Sequence, residues 1–400
     1  MTDHITRRTL VGGLAGAGAL GLTGTRALAQ AAGKLPLPTS PVALSIIDVA
    51  GNLALTQKAI ELYRQKNPKL VSRVTFTKAP APELPGKIKA QQDANRVDID
   101  LVLTGTDALS AGLDQKLWVE ILPAHQGALP KLDEVYLEPA ARMQGLARGQ
   151  GVVVTYYPSG PLLEYMPARV KKAPTTAEEL LAWTRENKNK FMYARPANSG
   201  PGRTFMMGLP YLLGDSNPKD PMKGWDKTWA YLKALGENVE LYPSGTTQTM
   251  KELGDGTRDL IVTTTGWDIN PRVLGVVPKE AEVTALKGFH WVADAHYMCV
   301  PKGLSNEKMA VLLDLMNFML SREAQAYTFD EGYFYPGPAV KGVTLDMAPK
   351  ESQDAIKEFG RPQYEKLIAE NPVELPLEPD QMVLAFRRWD EEIGAAKRRG

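Results

Sequence analysis

Gly266-Trp267-Asp268 follows a short apolar run, Leu260 to Val262, through Thr263-Thr264-Thr265. An indole beside a carboxylate at the open end of a strand suits gripping a small polar solute. The ring packs on apolar or cationic groups, and the acid accepts a hydrogen bond or a positive charge. Two more aromatic clusters follow: Phe289-His290-Trp291, with Asp294 close behind, and Gly332-Tyr333-Phe334-Tyr335-Pro336. Ser199-Gly200-Pro201-Gly202-Arg203-Thr204 offers different chemistry, a Gly-rich loop feeding a helix N-terminus with an arginine in its first turn. Such a place favours an anion. Two readings stand for Arg203, an anion contact or a surface arginine. For Trp267 and Trp291 the alternatives are a ligand contact or a core tryptophan.

Catalytic patterns are absent from the sequence. No GxSxG occurs, no Ser-His-Asp arrangement stands out, and the only cysteine is Cys299, which excludes an intrachain disulfide and a multi-cysteine metal site. His290, Asp294 and His296 are evenly spaced, so an extended strand would place them on one face. Such a trio can ligate a metal, but an exposed strand face explains it equally, and no metal is expected.

The elements that position these residues begin with a strand, Val42 to Ile47, ending at Asp48. A helix follows with Asn52 as its N-cap and Leu55, Ala59, Leu62 and Tyr63 on its apolar face. A strand (71–77), a helix (84–95) and a strand (99–103) come next, leading to Thr104-Gly105-Thr106-Asp107. This rhythm predicts an open parallel sheet whose rim, beyond the strand ends, carries Asp48, Asn52, Thr106 and Asp107. Val152 to Tyr157 reads as a passage between lobes; Tyr156 and Tyr157 either line a cleft or pack at the hinge. Pro174 to Leu181 carries a capping-box pattern. Met309, Leu312, Leu313, Met316 and Leu320 mark a later helix face.

The 47 basic and 46 acidic residues give no case for a nucleic-acid or membrane-surface partner. Residues 1–29 read as an export signal of the twin-arginine kind: Arg7-Arg8, a mild Gly/Ala-rich core, and Ala27-Leu28-Ala29 at the cleavage position. An ordinary secretory signal is the alternative. Gly16 to Gly21 matches GxGxxG, but it lies in this segment and not between a strand and a helix. No cofactor motif occurs elsewhere.

These residues, in this order, resemble the periplasmic solute-binding proteins of ABC importers, family 1, the class of spermidine/putrescine, thiamine and iron(III) binders. The likeness rests on the export signal, Tyr63-Arg64-Gln65-Lys66-Asn67-Pro68, Pro174 to Leu181, Gly266-Trp267, Phe289-His290-Trp291, Asn317 to Ser321, and Gly332 to Pro336. It implies an α/β, two-lobe type II fold with a hinge between lobes. Residues 41–154 and 292–338 would form lobe I, and 155–291 and 339–400 lobe II. It also implies a monomeric, soluble periplasmic protein, not an enzyme, that hands a small molecule to an inner-membrane permease. Trp267 and Trp291 match aromatics that sandwich polyamines, Tyr333 or Tyr335 matches the tyrosine after the last glycine, and Thr106-Asp107 falls in the second rim loop. Two departures bear on the ligand. Ala293 stands where polyamine binders carry an acid, and Ser199 to Arg203 replaces an acidic pair. By resemblance the ligand is polyamine-like. By local electrostatics it carries a carboxylate or phosph(on)ate contacted by Arg203, with Asp268 or Asp294 for any cationic end. A Tat-exported enzyme and a sensing subunit of a membrane receptor are the alternatives.

Overall fold

The computed structural model describes residues 35–395, so residues 1–29, read from sequence as an export signal with cleavage near Ala29, lie outside the described residues. The opening alternation is present as β1 (Val42–Asp48), α1 (Leu53–Lys66), β2 (Val71–Lys78), α2 (Leu84–Asp93), β3 (Leu101–Thr104) and α3 (Thr106–Asp114). β1 pairs in parallel with both β2 and β3. α1 buries Ala59, Ile60 and Tyr63 in the core of this sheet and Leu55 in a separate cluster with Tyr157 and Phe334, while Leu62 is half-buried.

The sheet then turns mixed. β4 (Val152–Gly160) is buried along its whole length and runs straight into β5 (Leu162–Tyr165) of a second sheet. α4 (Ala177–Glu186) begins on the capping box: Thr176 Oγ1 accepts from Glu179 N, and Glu179 accepts from Thr175 N and Oγ1. Such a cap contributes about 1 kcal/mol. There follow β6 (Phe191–Met192), α5 (Gly200–Leu213), α6 (Thr246–Asp255), β7 (Leu260–Thr263), α7 (Thr265–Val273), β8 (Glu282–Thr284) and β9 (Trp291–Cys299). α8 (Asn306–Met319), β10 (Gly337–Pro338), β11 (Val373–Glu374) and α9 (Pro379–Trp389) bring the chain to its end.

The first sheet has seven strands in the order β10-β4-β9-β3-β1-β2, with β11 added alongside β9; the second has four, β6-β7-β5-β8. β9 runs antiparallel to both β3 and β4. Each sheet has its own core. Leu44, Ile46, Leu103, Val153, Tyr297 and Leu312 belong to the first; Phe191, Tyr193, Phe205, Trp229, Leu260 and Trp389 to the second. β9 passes from one to the other between Val292 and Ala293. Two lobes joined by paired crossing strands follow from this. Among the described residues no helix is long and apolar enough to cross a membrane.

Candidate functional site

A cleft of about 460 Å³ opens between the two sheets, where the ends of β1 and β3 meet the starts of α5, α6 and α7. Asp48 forms one wall. Its Oδ1 accepts from Ala50 N (2.9 Å) and Asn52 N (3.0 Å), and its Oδ2 from Leu53 N (3.0 Å). The strand-end carboxylate thus caps α1, as helix amides and dipole favour. Asn52 holds the N-cap position expected from sequence, but its side chain makes no cap bond. It is buried, with Nδ2 2.8 Å from His296 Nδ1 and Oδ1 accepting from Thr56 Oγ1. Its contact is with the imidazole that lines the cleft.

The floor is an ion network. Arg203 lines the cleft but is only 4% exposed. Nη1 donates to Asp107 Oδ2 at 2.9 Å, and Nη2 donates to Asp294 Oδ2. Asp294 also accepts from Thr106 Oγ1 (3.1 Å) and the Tyr157 hydroxyl (3.2 Å). Burial works against the guanidinium charge, yet Asp294 and Asp107 raise its pKa above the ordinary value. Arg203 is therefore a fully charged group already faced by two carboxylates. Its position in the first turn of α5 follows from Ser199, whose Oγ accepts from Gly202 N as N-cap.

Three helix starts converge above this floor. Gly105 and Asp107 border the cleft at α3, Ser199 and Gly200 at α5, and Gly245, Thr246 and Thr247 at α6. α3 and α6 have glycine N-caps with no side-chain cap bond. At α3 Asp107 Oδ1 accepts from Ala108 N at 2.8 Å, so a carboxylate already occupies that start, whereas the first amides of α6 have no partner within their helix. Ser199 Oγ and Thr246 Oγ1, 2.7 Å apart, tie the α5 and α6 starts together. Lys78 stands exposed at the cleft edge.

The remaining wall is aromatic. Trp267, in the first turn of α7, meets Tyr333 edge to face with ring centroids 5.3 Å apart. Gly266 makes this possible: a Cβ there would land on the backbone of Phe334. Thr265 Oγ1 adds a 2.7 Å bond to Tyr335 O. Gly51, at φ +77°, leaves room for the Tyr333 hydroxyl.

Several residues singled out from sequence lie elsewhere. Trp291 is fully buried against Phe289, with Nε1 donating to Leu367 O, and does not line the cleft. Asp268 is also fully buried, accepting from Arg272, Arg361 and the Tyr364 hydroxyl. Tyr335 packs half-buried beside Val343 and Phe359. Tyr156 belongs to the first core, while Tyr157 lies beneath Asp294. Asp294 and Thr106 hold the floor without lining the cleft. His290 stacks on Tyr211 and faces Glu374, sharing no partner with Asp294 or His296. Among the described residues no group of three or more His, Cys, Asp and Glu is placed to hold a metal ion. Sequence reasoning passed over Lys78 and Gly245-Thr246-Thr247. A glycine before two threonines at a helix start was the available signal, the same one that drew attention to Ser199.

Residues 58–358 match the model of the bacterial extracellular solute-binding protein family. The chain belongs to that family. It is a solute-binding protein rather than an enzyme. No curated protein sequence matches it significantly. Solved structures share its fold at low identity. The periplasmic binding protein AfuA from Actinobacillus pleuropneumoniae, with fructose-6-phosphate bound, is 18% identical with a TM-score of 0.64, over 88% of this chain and 98% of that one. A periplasmic thiamin binding protein is 14% identical with a TM-score of 0.62, over 92% and 100%. A putative spermidine/putrescine ABC transporter protein from Listeria monocytogenes is 17% identical with a TM-score of 0.58, over 87% and 99%. The solute-binding protein therefore has the two-lobe periplasmic-binding-protein fold.

Proposed function

We propose that this solute-binding protein is the periplasmic component of an ABC importer, with residues 41–154 and 292–338 as lobe I and 155–291 and 339–400 as lobe II. It captures a small solute carrying a carboxylate or phosph(on)ate and delivers it to the membrane permease. The observation that carries this reading is the convergence of the α5 and α6 starts on one cleft, with the α6 start left without a side-chain cap. Free amides and aligned dipoles there favour an oxyanion. Arg203 contributes charge, but its two carboxylate partners make the helix starts the principal receptor. The Trp267–Tyr333 wall would pack on the rest of the solute. AfuA, whose fold is similar, was solved with a sugar phosphate bound.

Native mass spectrometry of the purified protein, followed by a thermal-shift panel, tests this reading. A ligand at about 100 times its Kd adds about 2.7 kcal/mol of apparent stability. Phosphonates or carboxylates should shift the protein and linear polyamines should not; the reverse would sink the reading. Thr246→Pro removes one amide at the first position of α6, where proline and the extended Gly245 before it are tolerated. It should weaken anion binding more than Thr246→Val, which keeps the amide. Loss of labelled-solute uptake on gene deletion would separate transport from receptor sensing.

A further inference from the structure

A second groove of about 510 Å³ continues from the cleft on the far side of the Trp267–Tyr333 pair, and the two share Gly51, Lys78 and Thr247 as borders. Its lining is mixed, with Gln57 and Asn270 among its borders, and its apolar side chains come from α6, α7 and α1. Thr247, at the start of α6, borders both spaces; Met250, one turn along the same helix, borders the groove alone. α7 does the same, with Trp267 at the junction and Pro271 and Leu274 further along. Leu53 of α1 supplies the opposite side, and Val276 the outer lip. Leu274 and Val276 are 61% and 36% exposed, two of the few large apolar side chains left to water. Asp330 and Glu331 stand at the groove's border and disfavour a second anionic group there.

We propose that the ligand is bipartite, an anionic head on the helix starts with an apolar alkyl or aryl segment lying along α6 into this groove. This rests on the anion-binding reading of the cleft. A head seated at Gly245 to Thr247 has the groove as its adjoining space, with Met250, Pro271, Leu274 and Val276 as apolar contacts for a segment, because the same helix face leads from one to the other.

The test is a calorimetric titration series from methylphosphonate to hexylphosphonate, with the matching alkylcarboxylates. Affinity should rise about fourfold per methylene as each CH₂ is buried. Leu274→Asp and Val276→Asp, both at exposed positions, should flatten that rise and leave methylphosphonate affinity unchanged. A series that binds but is flat in the wild-type protein overturns the groove assignment and spares the cleft reading. No binding by either series overturns both. A rise that persists in both variants, with solute uptake by cells lost, would give that face to the membrane partner and overturn the proposal.

Discussion

Arg203 and Asp107 join α5 to α3 across the cleft, Nη1 to Oδ2 at 2.9 Å, with side chains only 5% and 11% exposed. Arg203 also holds Asp294, so truncating it strands two carboxylates in a desolvated floor. Arg203→Ala should lose about 3–5 kcal/mol of stability, read from urea denaturation. Adding Asp294→Asn should restore part of the loss, since the two side chains are in direct contact and couple. If Arg203→Ala unfolds at the wild-type midpoint, the network is not a structural floor.

His296 should make the fold acid-sensitive. Burial lowers its pKa; Asp294, Asp48 and Asp107 pull the other way, and Arg203 adds to the lowering. The unfolded chain therefore takes up a proton before the folded one does. Stability is complete above the unfolded value of about 6.5 and falls as pH drops through the folded pKa. Denaturation midpoints between about pH 7.5 and about pH 5.5 should fall less in His296→Gln than in the wild type. Equal slopes would show that His296 does not titrate as its burial requires.

Gly266→Ala should separate Trp267 from Tyr333. The added methyl meets backbone atoms of Phe334, which cannot rotate away as a side chain would. A cost of about 1–3 kcal/mol is expected, with a shift in tryptophan emission that Gly86→Ala, where a Cβ meets nothing within 4 Å, does not produce.

Much of the architecture was legible because it rests on local pattern. The β1-α1-β2-α2-β3 alternation, the Thr176 capping box and the α8 face each depend on residues close in the chain. The cleft was harder. Trp267 and Trp291 both stand beside strands, and only the three-dimensional course decides that one lines a cleft and the other a core. Tyr156 and Tyr157 alternate across one strand, so their opposite environments follow from pleating once the buried face is known. Asp268 carried a local hint: Arg272, four residues on, lies on the same helix face. Its other partners, Arg361 and Tyr364, come from more than ninety residues away, beyond any local pattern. Asn52 holds the N-cap position of α1, but Asp48 supplies the side-chain bonds, because a carboxylate at the strand end reaches three amides at once.

Helix α9 ties the two lobes together. It packs against α3, with Ser110 Oγ 3.6 Å from Met382 Sδ, while Ala385 and Trp389 sit in the second core. Arg148 holds Asp380 at its start, and Arg195 holds Asp390 at its end. Two crossing strands alone form a ribbon that twists as readily as it bends. A further attachment set off that ribbon resists twisting more than bending. The relative orientation of the α3 rim and the α5 and α6 starts is thereby held from outside the crossing strands.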